Sequence, residues 1–231
     1  MIKAVFLDID NTILDFDAYV KDALESGFRF FSLGAYTENV YETFSCINIG
    51  LWRELEKGDL TMKGLFDIRF QRVFDALGIS FDGRTFEKYF TDRLFDSAIP
   101  VDGAMELVRY LKKKYILSTA SNGPHLQQVN RMRLSGMAGY FDHLFISESV
   151  GASKPSRAFF DHCLSKINEG AEQKIRPEET VMIGDSLTSD VMGAKNAGMI
   201  SVYFDKQNKG KPADFAGDYY IASLDELFSI L

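Results

Sequence analysis

Apolar and polar positions follow two different periods along this chain. Ala4 to Leu7 are apolar without alternation, which is how a strand buried on both faces of a parallel sheet reads. The run stops at Asp8-Ile9-Asp10-Asn11-Thr12. From residue 16 to 97 only the helical period is present. Val20, Leu24 and Phe28 share one face. Val40, Phe44, Ile47, Leu51 and Leu55 form a second stripe, behind Thr37 in a capping position. Phe66, Phe70, Val73, Phe74 and Leu77 make a third, and Phe86, Tyr89, Phe90 and Leu94 a weaker fourth. Breaks fall at Gly34, at Gly58-Asp59 and between Gly78 and Gly83.

From Pro100 onward the two periods alternate. Helical stripes are Ala104/Leu107/Val108/Leu111, Leu126/Val129/Met132, Phe159/Phe160/Cys163/Leu164/Ile167, and Ser189 to Ala197. Strands are expected at Tyr115–Thr119, His143–Ser147, Thr180–Ile183, Ile200–Phe204 and Tyr219–Ala222. Ser223 and Glu226 then have the spacing of a capping box. Alternating strand–helix units imply a parallel sheet with right-handed crossovers and helices on both faces. The expected class is α/β, with a Rossmann-like parallel core over residues 1–15 and 98–231. An all-α insert, residues 16–97, reads as a cap domain with hinges near Leu14-Asp15-Phe16 and Ala98-Ile99-Pro100.

Composition narrows the class. The 231 residues carry a formal charge of −7, which disfavours nucleic acid as a partner because like charge repels the phosphate backbone. No apolar run reaches membrane-spanning length, and the start carries no basic stretch followed by an apolar one. A cytoplasmic monomer or homodimer acting on a small molecule, with no membrane partner, is expected. Cys46 and Cys163 lie in apolar helical patterns and read as buried free thiols. His125, His143 and His162 have no metal-ligand spacing.

Candidate chemistry gathers where strands end, which is where open α/β sheets bind ligands. Asp8 and Asp10 share a face if the strand stays extended, and a cation or a proton would relieve their repulsion. Ala120-Ser121-Asn122-Gly123 follows the second strand. A hydroxyl, an amide and backbone N–H groups there suit phosphate oxygens, and equally a turn with a helix cap. Lys154 sits in the short loop Gly151-Ala152-Ser153-Lys154-Pro155, placed to neutralise an anion. Ile183-Gly184-Asp185 ends another strand, and Asp190 follows five residues later. Hard oxygen donors from separate strand ends suit Mg²⁺.

Taken together these stretches resemble the four motifs of the haloacid dehalogenase-like hydrolases, in the family's order. The resemblance implies Asp8 as nucleophile, Asp10 as general acid/base, and Ser121, rather than Thr119, with Asn122 and Lys154 on the phosphate. It implies Asp8, Asp10 and Asp185 as Mg²⁺ ligands, with Asp190 as a further ligand or the partner that orients Lys154. It also implies a helical cap after the first strand. Asn11 in place of a common Gly, Leu14-Asp15-Phe16-Asp17, Leu51-Trp52, Gly58 and Arg69-Phe70 are similar to the pyrimidine 5′-nucleotidase branch. By default Trp52 and Phe70 are core residues and Arg69 a solvated one. The activity so implied is hydrolysis of a small phosphate monoester, a 5′-nucleotide in particular. A phosphoglycolate or sugar phosphate phosphatase, a β-phosphoglucomutase-like mutase, a haloacid dehalogenase and a non-catalytic sensor are the alternatives.

Overall fold

The computed structural model describes residues 1–231, which divide into two compact units. One comprises Met1–Asp15 with Ala98–Leu231, and the other is Phe16–Ser97.

The first unit is built on strand β1, Ala4–Leu7, whose side chains are all buried. The other strands are β2 Ile116–Ser121, β3 His143–Ile146, β4 Thr180–Gly184, β5 Ile200–Phe204 and β6 Tyr219–Ile221. All pairs are parallel, in the order β3-β2-β1-β4-β5-β6. β1 is thus hydrogen-bonded on both edges, with Leu7 level with Thr119 of β2 and Ile183 of β4. Because β1 is central and covered on both faces, it has no room for a polar side chain until it ends. One apolar layer beside the sheet contains Val5, Leu7, Leu107, Leu117, Ile183 and Val202, and the other contains Phe6, Phe145, Phe159, Phe160 and Met182. Successive β1 residues point to opposite layers, so each strand residue serves a different core.

The helical unit contains α1 Phe16–Phe30, α2 Glu38–Lys57, α3 Met62–Leu77 and α4 Gly83–Phe95. Thr61 and Asp82 cap α3 and α4 through side-chain oxygens, whereas Thr37 precedes α2 without a side-chain cap bond. Gly58 and Gly78 close α2 and α3 in the left-handed region. Tyr19, Phe28, Phe44, Phe70, Phe74, Phe86 and Phe90 form the interior.

Arg69 departs from expectation. It is 2% exposed rather than solvated. Its Nε and Nη2 donate to Glu87 Oε2 and Oε1 at 3.0 and 2.5 Å, and Nη1 donates to Asn48 Oδ1 at 3.0 Å. The guanidinium also lies 5.0–5.6 Å from the ring centroids of Phe44, Phe66, Phe70 and Phe90. Burial drives the Glu87 carboxyl upward, with Arg69 opposing. Cys46 departs too: it lies on the outward side of α2 and is exposed, while Cys163 is buried.

In the first unit the helices are α5 Ala104–Lys112, α6 His125–Leu134, α7 Ser147–Val150, α8 Arg157–Ile167, α9 Met192–Ala197 and α10 Leu227–Ile230. The stripe expected on α6 is corrected. Leu126 is 74% exposed, and the buried face is Gln128, Arg131 and Met132. Ahead of α9 the chain makes a π turn, Leu187–Val191, rather than a continuous helix from Ser189. β2 extends to Ser121, two residues beyond its expected end. No helix is long and apolar enough to cross a membrane.

Removing one partner of a buried ion pair strands the other charge. Glu87→Ala should therefore lower unfolding free energy by about 3–5 kcal/mol, read from urea denaturation. Replacing Arg69 and Glu87 together by Met and Leu should restore most of it. A Glu87→Ala protein as stable as wild type would show that the pair carries no such constraint.

Candidate active site

Asp8 is the first residue past β1, and its N–H donates to the Ile183 carbonyl at 2.9 Å, so the ladder holds its backbone. The chain then turns tightly. Thr12, Ile13 and Leu14 all donate to the Ile9 carbonyl, and Asn11 N–H donates to Leu14 O. Asn11 lies at φ +55°, a left-handed conformation that Asn tolerates. Lys206, in the loop after β5, donates to Asn11 Oδ1 at 3.0 Å and also pairs with Asp15.

Lys154 is 2% exposed. Its Nζ donates to Asp8 Oδ1 and to Asp190 Oδ1, each at 2.6 Å. Asp190 reaches this point because of the turn before α9. Its other oxygen accepts from Ser186 N–H at 3.0 Å, and Ser186 Oγ accepts from Ser189 N–H at 3.1 Å. The carboxylate lies against Gly184, where a Cβ would meet Asp190 Oδ2 at 2.1 Å. The loop carrying Lys154 is held by Asn122, whose Nδ2 donates to Lys154 O and whose Oδ1 accepts from Lys154 N–H, both at 2.9 Å. The Asn122 side chain is therefore occupied, and what it offers an anion is its main-chain N–H.

Asp185 follows β4 directly. Asp8, Asp185 and Asp190 each bring a carboxylate oxygen within 4.8 Å of the others. Three carboxylates faced by the single cation of Lys154 leave an excess of negative charge, and Asp8 and Asp185 are hard oxygen donors of the kind that fits Mg²⁺. The electrostatics agree. Burial raises the Asp8 carboxyl from 3.8 to about 7, Lys154 pulls the other way, and Asp190 adds to the rise. Burial opposes the Lys154 ammonium, yet Asp190 and Asp8 together outweigh it and hold its pKa above the usual range. The two results agree because one cation is shared by two carboxylates.

The Asp10 carboxylate is held by two side chains of α6. Its Oδ1 accepts from Arg131 Nη1 and its Oδ2 from Gln128 Nε2, each at 2.6 Å. Gln128 Nε2 also donates to Ser121 Oγ at 2.9 Å, and Gly123 N–H donates there at 3.2 Å. Ser121 thus joins Asp10 through Gln128, whereas Thr119 lies inside β2 with an unpartnered hydroxyl. Gln128 and Arg131 escaped the sequence reading. Their signal is a pair of long polar residues three apart beside the apolar Met132 on α6.

Residues 2–198 match the haloacid dehalogenase-like hydrolase family, and the chain belongs to it. It is 31% identical to the HAD-hydrolase YfnB of Bacillus subtilis over 99% of this chain and 95% of that one. The crystal structure of YfnB, bound to magnesium, superposes with a TM-score of 0.88 at 30% identity, covering 100% of this chain and 98% of that one. The pyrimidine 5′-nucleotidase PynA of Streptococcus pneumoniae is 29% identical over 99% of this chain and 94% of its own. A glyceraldehyde 3-phosphate phosphatase of Pyrococcus furiosus is 27% identical, covering 100% and 93%.

A carboxyl raised on folding binds a proton that the unfolded chain releases. Its contribution to stability is full below the unfolded value near 4 and is lost as pH rises through about 7. In chelator, Asp8→Asn should therefore melt above wild type near pH 8, with the difference closing toward about pH 4. A gap that stays constant across this range would refute the assignment.

Proposed function

We propose that the protein is a Mg²⁺-dependent phosphatase that hydrolyses a small phosphate monoester through an aspartyl-phosphate on Asp8, and that its substrates are 5′-nucleoside monophosphates. The observation that carries the phosphatase reading is the Lys154 ammonium between Asp8 and Asp190, with Asp185 alongside. A pure binder has no use for a desolvated carboxylate held that way.

In this reading an Asp8 oxygen attacks phosphorus. The new P–O bond forms as the bond to the leaving oxygen breaks, and Asp10 supplies that oxygen with a proton. In the second half Asp10 takes a proton from a water whose oxygen attacks phosphorus, releasing Asp8 and inorganic phosphate. The Ser121 hydroxyl, the main-chain N–H of Asn122 and Lys154 hold the phosphoryl oxygens. Asp8, Asp185 and the Asp10 main-chain carbonyl would hold Mg²⁺. Both oxygens of Asp190 are engaged by Lys154 and Ser186, so we assign it to orienting Lys154 rather than to the ion. Bound there, Mg²⁺ would screen the repulsion between the Asp8 carboxylate and the phosphate.

These core groups address only the phosphoryl group, so we assign selection of the leaving group to residues 16–97 as a cap. Aromatic stacking on a base is a weaker argument than the sequence suggests. Tyr19 and Phe70 are fully interior, which leaves Phe16 and Trp52 as the partly accessible rings among those considered. The preference for nucleotides over sugar phosphates therefore leans on the similarity to PynA. Location in the cytoplasm and action as a monomer or homodimer complete the proposal.

Asp8→Asn should keep the fold and lose turnover by about a thousandfold or more. Exhaustive chelation should abolish wild-type activity, and Asp185→Ala should do the same at ordinary Mg²⁺ concentrations. Turnover that survives chelation would favour a metal-independent haloacid dehalogenase.

Catalytic efficiency should rank dTMP and UMP above purine nucleotides, phosphoglycolate and a hexose phosphate. A tenfold or greater advantage for either of the last two would defeat the nucleotidase reading and leave the phosphatase standing. A phosphorylated isomer as product, in place of free phosphate, would instead identify a mutase.

A further inference from the structure

The polar face of α6 has no counterpart in the four motifs. Gln128 is wholly buried and Arg131 is 1% exposed, and both point at Asp10. Two amphipathic side chains buried on a helix that leaves Leu126 exposed are costly unless every polar atom is used. Here they are used in a definite order. Arg131 Nη1 donates to Asp10 Oδ1 at 2.6 Å and to Gln128 Oε1 at 2.9 Å. That second bond fixes which end of the Gln128 amide is oxygen. Its NH₂ is thereby aimed at Asp10 Oδ2, at 2.6 Å, and Ser121 Oγ, at 2.9 Å.

The consequences reach two groups. Ser121 Oγ accepts two hydrogen bonds, from Gln128 and from Gly123 N–H, so its own proton is left to donate elsewhere. Asp10 is held by one bond at each oxygen, so its carboxyl plane is fixed. Gly123 fits the same design, because a Cβ there would meet Gln128 Nε2 at 2.5 Å. The glycine leaves space for Gln128 to cross from α6 toward Asp10.

We propose that Gln128 and Arg131 are positioning residues that set the acid/base carboxylate of Asp10 and the phosphate-binding hydroxyl of Ser121 in one hydrogen-bonded frame. The inference rests on the phosphatase reading above. Neither residue is proposed to touch substrate. Arg131 acts on Asp10 directly and on Ser121 through the Gln128 amide.

Aryl phosphates separate this role from a structural one. The p-nitrophenolate group leaves without a proton, whereas unsubstituted phenol and the 5′-oxygen of UMP rely on one. With Mg²⁺ present, kcat/KM is measured for p-nitrophenyl phosphate, phenyl phosphate and UMP on wild type, Arg131→Met, Arg131→Lys and Gln128→Leu. Arg131→Met and Gln128→Leu should lose at least tenfold more on phenyl phosphate and UMP than on p-nitrophenyl phosphate. Arg131→Lys, which keeps a donor cation, should recover much of that differential. Gln128→Leu carries the test if Arg131→Met does not fold. Equal losses on all three esters in the folded variants, or no loss, would overturn the proposal. A wild-type protein that hydrolyses none of the three would instead remove the phosphatase reading and this inference with it.

Discussion

Everything in the core converges on keeping one ammonium group, Lys154, between two carboxylates. A buried cation is tolerated only if its partners are fixed, and each partner here is fixed by a different element. Asp8 is held by the β1–β4 ladder, Asp190 by the turn before α9, and the lysine's own backbone by Asn122. Gly184 is bare so that Asp190 can lie against it. Lys154 is the one cation both carboxylates share, so displacing it leaves two buried carboxylates without their partner. The arrangement therefore behaves as a unit, and single substitutions within it should not add.

Each unit buries one arginine, to different ends. Arg69 is enclosed by Glu87, Asn48 and four aromatic rings, all of them within the helical unit. Arg131 is as buried, but its partner Asp10 keeps its side chain about a third exposed, at 32%. A closed ion pair fixes how helices meet. A half-open one holds a reactive group while leaving it reachable.

The sequence was most legible where a strand ends abruptly in polar residues. Asp8 and Asp185 stood out because the apolar runs before them are short, unalternating and sharply terminated, and Lys154 because it sits in a short loop between a glycine and a proline. The α/β alternation was legible for the same reason, and its boundaries were off by one or two residues, as at β2. Residues whose meaning depends on a distant partner stayed hidden. Arg69 reads as a solvated helix residue until Glu87, on another helix, is brought beside it. On α6, Leu126 and Val129 suggested an apolar stripe and masked Gln128 and Arg131. That helix is turned by its polar bonds to β1's loop, a force with no periodic signature. Cys46 misled because an apolar neighbourhood in sequence is not an inward direction in space.

The central position of β1 also orders events during synthesis. Ala4 pairs with Ile116 and Thr180, so the first strand made waits for partners produced much later. Meanwhile residues 16–97 carry their own aromatic interior, with all four helices contiguous in sequence, and can condense as they appear. An exposed, wholly apolar strand tethered to an already folded domain is a natural substrate for chaperones and a seed for aggregation. The helices following it, by collapsing first, shorten the effective loop that β1 must close to reach β2.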